Sequence, residues 1–286
     1  MKSNVSVKSR PQREKPWSPA SLFPVAIMFV TLALVVITGR PLSGQERKLA
    51  KVSATEAFKD MTAKPVDLKS EYERGVFLEV TKNFNEAAVA YRKAADLSYA
   101  PAQNNLGYFY QVGQGVSRNY DEAMRWYRQA AEQGYAAAQN NLGVLYRDAL
   151  GTKRNFAQSV HWFRMSAEQG LAAGQNNLGV RYYKGEGVAT NYVEAVKWYR
   201  KAAEQGLADA LVNLGIAYVD GRSVTQDRVT AYMYFNTAAA QGDKYAVQAR
   251  EFLVKHMTLP QIEDGQRRTY ALLSQNLTER GGLILP

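Results

Sequence analysis

Cysteine is absent from this 286-residue chain, so disulfides, thiolate metal sites and cysteine nucleophiles are all excluded. Histidine is nearly absent too: His161 and His256 stand far apart, with no partner at metal-ligand spacing. Neither a G-x-S-x-G elbow nor an S-x-x-K nucleophile occurs, and no Asp/Glu pair recurs in a pattern suited to acid–base work. No catalytic residue, metal site or cofactor is therefore expected. A dense basic run is also missing. The formal net charge of +10 suggests nucleic-acid binding until it is divided along the chain. Residues 1–51 hold nine Lys/Arg against two Asp/Glu, whereas residues 52–286 hold 27 against 24. A basic stripe is the electrostatic footprint of a nucleic-acid binder. None is present, so nucleic acid is not an expected partner.

What is present begins with an apolar run. From Pro16 to Gly39 there are 24 residues without a charge. Roughly 20 residues of helix cross a bilayer core. Eleven of the 17 residues from Leu22 to Thr38 are Leu, Ile, Val or Phe, and together they favour insertion by roughly 3–7 kcal/mol. Residues 17–39 are read as a transmembrane helix that acts as an uncleaved signal anchor. A cleaved signal peptide has a shorter apolar stretch of about 7–15 residues and an A-x-A-like site, and here Thr38-Gly39-Arg40-Pro41 follows instead. Five Lys/Arg precede the span, and Arg40, Arg47, Lys48 and Lys51 follow it. That bias orients the N-terminus to the cytoplasm. Residues 1–16 form a basic tail and residues 40–66 a polar linker.

A repeat occupies most of what remains. Leu106-Gly107, Leu142-Gly143, Leu178-Gly179 and Leu214-Gly215 stand 36 residues apart each time. Four residues after each Leu comes Tyr110, Tyr146, Tyr182 or Tyr218. Aromatic pairs follow at Trp126-Tyr127, Trp162-Phe163, Trp198-Tyr199 and Tyr234-Phe235, then Gly134, Gly170, Gly206 and Gly242. Each unit reads as two amphipathic helices, the first carrying Leu and Tyr on one face and the second an apolar stripe at helical spacing. Within the first, the glycine lets a second helix approach closely. The second helix starts at an N-x-x-E/Q capping box: Asn83/Glu86, Asn119/Glu122, Asn155/Gln158 and Asn191/Glu194, with Asp227/Thr230 in the last unit. The glycines at 134, 170, 206 and 242 suit the left-handed position past a helix end. One hairpin cannot bury its own apolar face; stacked neighbours can.

These motifs resemble the Sel-one-like repeat family, a relative of the tetratricopeptide repeat. Its pattern A-x-x-N-L-G-x-x-Y-x-x-G-x-G-V…A-x-x-W-Y-x-x-A-A-x-x-G runs almost intact from Ala102 to Gly134. Departures include Ala149 for the first loop glycine, Ser223 for the second and Val212 for an Asn. The resemblance implies an all-α, right-handed alpha-solenoid of stacked helix-turn-helix repeats, here preceded by one transmembrane helix. Repeats are placed at 101–136, 137–172, 173–208 and 209–244. A tetratricopeptide-like cap lies at 67–100, capping helices at 245–278 and a tail at 279–286. The signature residues, including Trp126, Trp162 and Trp198, are assigned to packing.

By the same resemblance, partners bind on the concave surface made mainly by first helices. The positions implied are Asn104, Tyr108, Gln111, Asn140, Arg147, Asn176, Tyr183 and Lys184. Two readings of the Asn series stand open: amide bonds to an extended peptide, or hydrogen bonds between neighbouring repeats. The expected function is a protein-interaction scaffold in a bacterial inner membrane, facing the periplasm, in envelope assembly, motility or signalling regulation. A glycan-binding subunit or envelope enzyme is the alternative, and a eukaryotic adaptor in protein quality control a third.

Overall fold

In the computed structural model the described residues, 68–279, form twelve α-helices and no strand. They come in pairs: α1 (Leu68–Val80) and α2 (Phe84–Asp96), α3 (Ala100–Val112) and α4 (Tyr120–Glu132), α5 (Ala136–Asp148) and α6 (Phe156–Glu168). Next are α7 (Ala172–Lys184) and α8 (Tyr192–Glu204), α9 (Ala208–Asp220) and α10 (Arg228–Ala240), α11 (Lys244–Val254) and α12 (Leu259–Glu279). This is an all-helical repeat solenoid. The expected basic tail, transmembrane helix and linker all lie outside the described residues. Among the described residues no helix is long and apolar enough to cross a membrane.

The helices fall into two compact units, whose boundary runs through α5. Of the described residues, the first unit holds 68–142 and 150–152, and the second holds 143–149 and 153–279. Tyr72, Leu78, Tyr91, Leu106, Phe109 and Trp126 lead the core of the first. That of the second contains Phe163 and Leu178, and further along Tyr199, Leu211, Leu214, Phe235 and Leu253.

One contact recurs in the first five pairs. A glycine of the first helix lies against an aromatic ring of the second, so closely that a methyl group would not fit. In the first unit Gly75 faces Tyr91 and Gly107 faces Tyr127, where an added Cβ would fall 2.5 and 2.8 Å from the ring. In the second unit Gly143 faces Phe163, Gly179 faces Tyr199 and Gly215 faces Phe235, with corresponding distances of 2.7, 2.7 and 2.5 Å. Gly265 of α12 meets Tyr232 of α10 in the same way. These rings, and not the tryptophans before them, are the enclosed knobs. Trp126 and Trp198 are buried against neighbouring side chains, but Trp162 is only half-buried, edge-on to His161. Truncating Phe163 to Ala therefore carries the large-to-small penalty of about 3–5 kcal/mol, and truncating Trp162 costs less.

Between successive repeats the second glycine of the G-x-G loop makes the closest approach. A side chain on Gly115 would strike the carbonyl of Phe84 at the start of α2, and one on Gly187 that of Phe156 at the start of α6. The signature tyrosines add a polar latch. Arg92 donates to the Tyr110 hydroxyl, Arg164 to Tyr182 at 3.0 Å and Arg200 to Tyr218 at 3.2 Å, always 18 residues on.

The caps form as expected in one arm and differently in the other. Asn119, Asn155, Asn191 and Asp227 accept from backbone N–H groups two or three residues on. The reciprocal arm of the box is not the acid. Backbone N–H groups of Asn119, Asn155, Asn191 and Asp227 instead donate to the carbonyls of Tyr110, Tyr146, Tyr182 and Tyr218 at 2.9–3.1 Å. Glu122 is thereby released to accept from Arg125 and from the Trp126 indole. Asn83 makes no side-chain cap bond; its turn is shorter, and its N–H donates to the Leu78 carbonyl at 2.8 Å.

Two predictions follow from this packing. Gly215→Ala is expected to destabilise by about 1–3 kcal/mol through overpacking, although alanine is the better helix former. Adding Phe235→Leu relieves the clash, so a double-mutant cycle by urea unfolding gives a double variant less destabilised than the two single effects summed. Ala149 and Ser223 occupy left-handed backbone at φ 60° and 64°. Such a residue costs roughly 1–2 kcal/mol without glycine, and Gly loses part of that to chain entropy. Ala149→Gly should raise the midpoint of urea unfolding by an amount equivalent to about 0.5–1 kcal/mol; an unchanged or lower midpoint contradicts the strain argument.

Candidate functional site

The amides expected to face a partner are largely consumed inside the stack. Asn104 is 3% exposed, and its side-chain oxygen accepts from Asn141 of the next repeat at 3.0 Å. Asn176, equally buried, accepts from Asn213 at 2.8 Å. Of the two readings left open, the bond between repeats is the one observed at both positions. An amide with no free surface cannot reach a peptide, so Asn104 and Asn176 leave the partner-facing set. A second ladder runs through glutamines: Gln133 donates to Gln103 at 2.7 Å and Gln205 to Gln175 at 2.8 Å. Gln103 and Gln175 in turn donate to the carbonyls of Ala95 and Ala167. A buried amide without partners would cost about 1–3 kcal/mol, so the asparagine pairs and the Gln103–Ala95 and Gln175–Ala167 bonds favour a fixed register between the repeats they join.

Four of the eight expected positions lie in the first unit. Besides Asn104 they are Tyr108, half-buried; Gln111, buried and accepting from the Tyr127 hydroxyl at 2.7 Å; and Asn140, buried. Among these only Tyr108 keeps appreciable surface.

Arg147, Tyr183 and Lys184 lie in the second unit, in the last turns of α5 and α7, and belong to a charged cluster. Arg147, 9% exposed, holds Asp148 through two bonds of 2.7 Å. Tyr183 donates to Asp220 at 2.9 Å and meets Tyr192 edge-on. Arg222 donates to the Tyr192 hydroxyl at 3.1 Å and lies over both tyrosine rings. At the centre is a residue the motif search passed over. Arg181 is 2% exposed and binds Glu186 of the loop at 2.7 Å, while its Nε has no hydrogen-bond partner. Its place in the repeat is taken by Phe109, Leu145 and Ala217 in the siblings. That mismatch was the available signal: a cation where the period calls for an apolar group.

The charges lie close enough to shift one another. Burial, with the neighbouring Arg147, pushes the Arg181 guanidinium down to about 10, against the pull of Glu186 and Asp148. Lys184 is lowered by burial, Arg181 and Arg147, again opposed by Glu186. Among the described residues no cluster of His, Asp or Glu is arranged to hold a metal.

Stacked helix pairs in register, locked by glycine–aromatic contacts and amide ladders, define a tetratricopeptide-like repeat protein. The profile described as Sel1 repeat matches residues 70–99, 100–135, 136–171, 172–207 and 208–243, more than half of the chain. The chain belongs to the Sel1 repeat family, whose members are in general protein-interaction scaffolds. The first match covers the segment expected to be a plainer tetratricopeptide-like hairpin. Among solved structures, a protective antigen of uropathogenic Escherichia coli with an SLR fold is 33% identical at TM-score 0.65, over 78% of this chain and 48% of that one. The chain thus spans about half the length of that protein. A Sel1 repeat protein from Oxalobacter formigenes is 36% identical at TM-score 0.55, over 61% of this chain and 72% of its own. No curated protein matches the sequence.

Buried phenols make the fold sensitive to alkali. Burial raises the Tyr127 and Tyr199 hydroxyls well above their ordinary value of 10. A raised folded-state pKa means that the stability is complete below the unfolded value and is lost as pH climbs above it. The protein is expected to unfold above about pH 10, the ordinary phenol value. Tyr199→Phe copies Phe163 and Phe235 at the same repeat position, and should shift the alkaline midpoint upward in far-UV circular dichroism with little change at neutral pH. A midpoint that stays in place would show that other groups govern the transition.

Proposed function

We propose that this chain is a membrane-tethered scaffold that docks a partner protein on the last turns of its first helices, chiefly in the second unit. The observation that carries this reading is a division of labour along the repeat. Positions that recur identically are spent on glycine–ring contacts, caps, latches and ladders. Positions that vary, such as Gln111, Arg147, Tyr183 and Val219, bring arginine and tyrosine to one edge of the second unit, and those types dominate protein-binding hot spots. Arginine and tyrosine gathered at one edge suit a particular partner, since the scaffold gains nothing from them there.

The tether is the uncharged stretch 17–39, and the charge bias around it supports an inner-membrane anchor with the repeats in the periplasm. Such a position fits work in envelope assembly, motility or signalling regulation. The glycan reading draws less support. A depression in the first unit is lined by Asp96, Gln103, Gln129, Glu132 and Gln133 as a sugar site would be. Its aromatic wall, Trp126, is buried, with Arg125 lying 4.0 Å over the indole and leaving no open stacking face.

Site-specific photo-crosslinking of the full-length chain in native membranes tests the docking surface. A photoreactive residue at Tyr183 should give a discrete protein adduct, and one at Lys255, exposed past the end of α11, should not. Equal labelling at both positions, or none at Tyr183, rejects the edge as a docking surface. Resistance to alkaline carbonate extraction tests the anchor separately.

A further inference from the structure

The charged cluster at the ends of α5 and α7 narrows the class of partner, if the docking reading above holds. We infer that it receives an acidic side chain of the partner protein, with Lys184 as the contacting cation and Arg147 and Arg181 as the charges behind it.

The fold does not explain Arg181. Its siblings at the same position are Phe109, Leu145 and Ala217, and replacing a buried ion pair by apolar groups of similar volume is commonly neutral or stabilising. The pair of Arg181 with Glu186 is thus a costly substitute for a leucine. Cations in the last turn of a helix do favour its dipole, which accounts for Lys184 and Arg147 singly. That effect needs no guanidinium enclosed at 2% exposure.

Charge counting gives the sign of the ligand. Arg147 is neutralised by Asp148 and Arg181 by Glu186, each through contacts of 2.7 Å. Lys184 is the third cation, exposed, and makes no ion pair with a described residue. The remaining charges nearby, Asp220 and Arg222, offset each other at 3.6 Å. One positive charge is left over, at a place where three cations already repel one another. The enclosed Nε of Arg181 has no hydrogen-bond partner, so that cation is incompletely satisfied within the fold. An incoming carboxylate relieves that repulsion, and the half-buried Tyr183 beside Lys184 supplies an aromatic wall. Charged groups placed this way confer partner selectivity and association rate more than raw affinity.

The test uses a fluorescent hexaglutamate peptide, with hexaglutamine as the neutral control, titrated into the full-length chain in detergent and read by anisotropy. Hexaglutamate should bind and hexaglutamine should not, with affinity falling as salt rises. Lys184→Ala should weaken binding about tenfold. The double variant Arg181→Leu/Glu186→Leu copies Leu145 and Leu150 of the preceding repeat and leaves net charge unchanged. It should lose binding to a similar degree while its thermal unfolding stays as in the parent. Lys255→Ala, which removes an equal charge elsewhere, should bind as the parent does. The inference is overturned if hexaglutamate does not bind, if the double variant binds normally, or if Lys255→Ala is as weak as Lys184→Ala. A protein adduct at Tyr183 combined with no hexaglutamate binding would reject the acidic class and leave the docking surface standing.

Discussion

A glycine pressed against an aromatic ring sets the spacing of this protein. Where Gly107 meets Tyr127, or Gly215 meets Phe235, the two helices of a pair lie closer than any side chain on the first would allow. The ring then fills the space a smaller residue would leave empty, and its large apolar area provides much of the burial that holds the hairpin together. Because the contact is steric, it tolerates almost no adjustment: an interior packed like a crystal has no room for an extra methyl group. The same hairpin geometry is therefore repeated, and neighbouring hairpins can be joined by identical polar contacts.

Those polar contacts are the second level of the design. Tyrosine hydroxyls accept from arginines 18 residues earlier, asparagines pair 37 residues apart, and Gln103 and Gln175 donate to carbonyls eight residues earlier. Each bond adds only about a kilocalorie net, but a partner left alone in the stack would cost more than the bond contributes. Register is thus enforced by the penalty for slipping. The backbone joins in, since the N–H of each second-helix cap is held by the tyrosine carbonyl of its own repeat and not by the acid three residues on.

With so many positions committed to the stack, little of each repeat is left to vary. The second unit uses that freedom at the ends of α5, α7 and α9, where apolar positions have become charged and aromatic. Arg181 is the clearest case, a cation enclosed where the sibling repeats place Phe109 or Leu145. In a protein without cysteine and with only two histidines, such a cluster of guanidinium, ammonium and phenol groups is the richest chemistry available to the described residues.

Helix number, helix ends and the 36-residue period could all be read from the sequence, because they depend on local backbone physics. Asparagine suits a helix N-cap and glycine the positive-φ residue past a helix end for local reasons, and Gly134, Gly170, Gly206 and Gly242 take φ 80–90°. The close approach of Gly107, Gly143, Gly179 and Gly215 was equally readable, as a missing side chain facing a helix. Other features depend on groups far apart in the chain, and only the tertiary structure decided them. Which aromatic of each pair becomes the knob depends on the ring's direction toward the glycine of another helix. Whether Asn104 and Asn176 meet a partner or the next repeat depends on where Asn141 and Asn213 lie, 37 residues on. The neutralisation of Arg147 and Arg181, and the unpaired charge of Lys184, emerge only when two helix ends and a loop are brought within a few ångströms, where Coulomb energies become large.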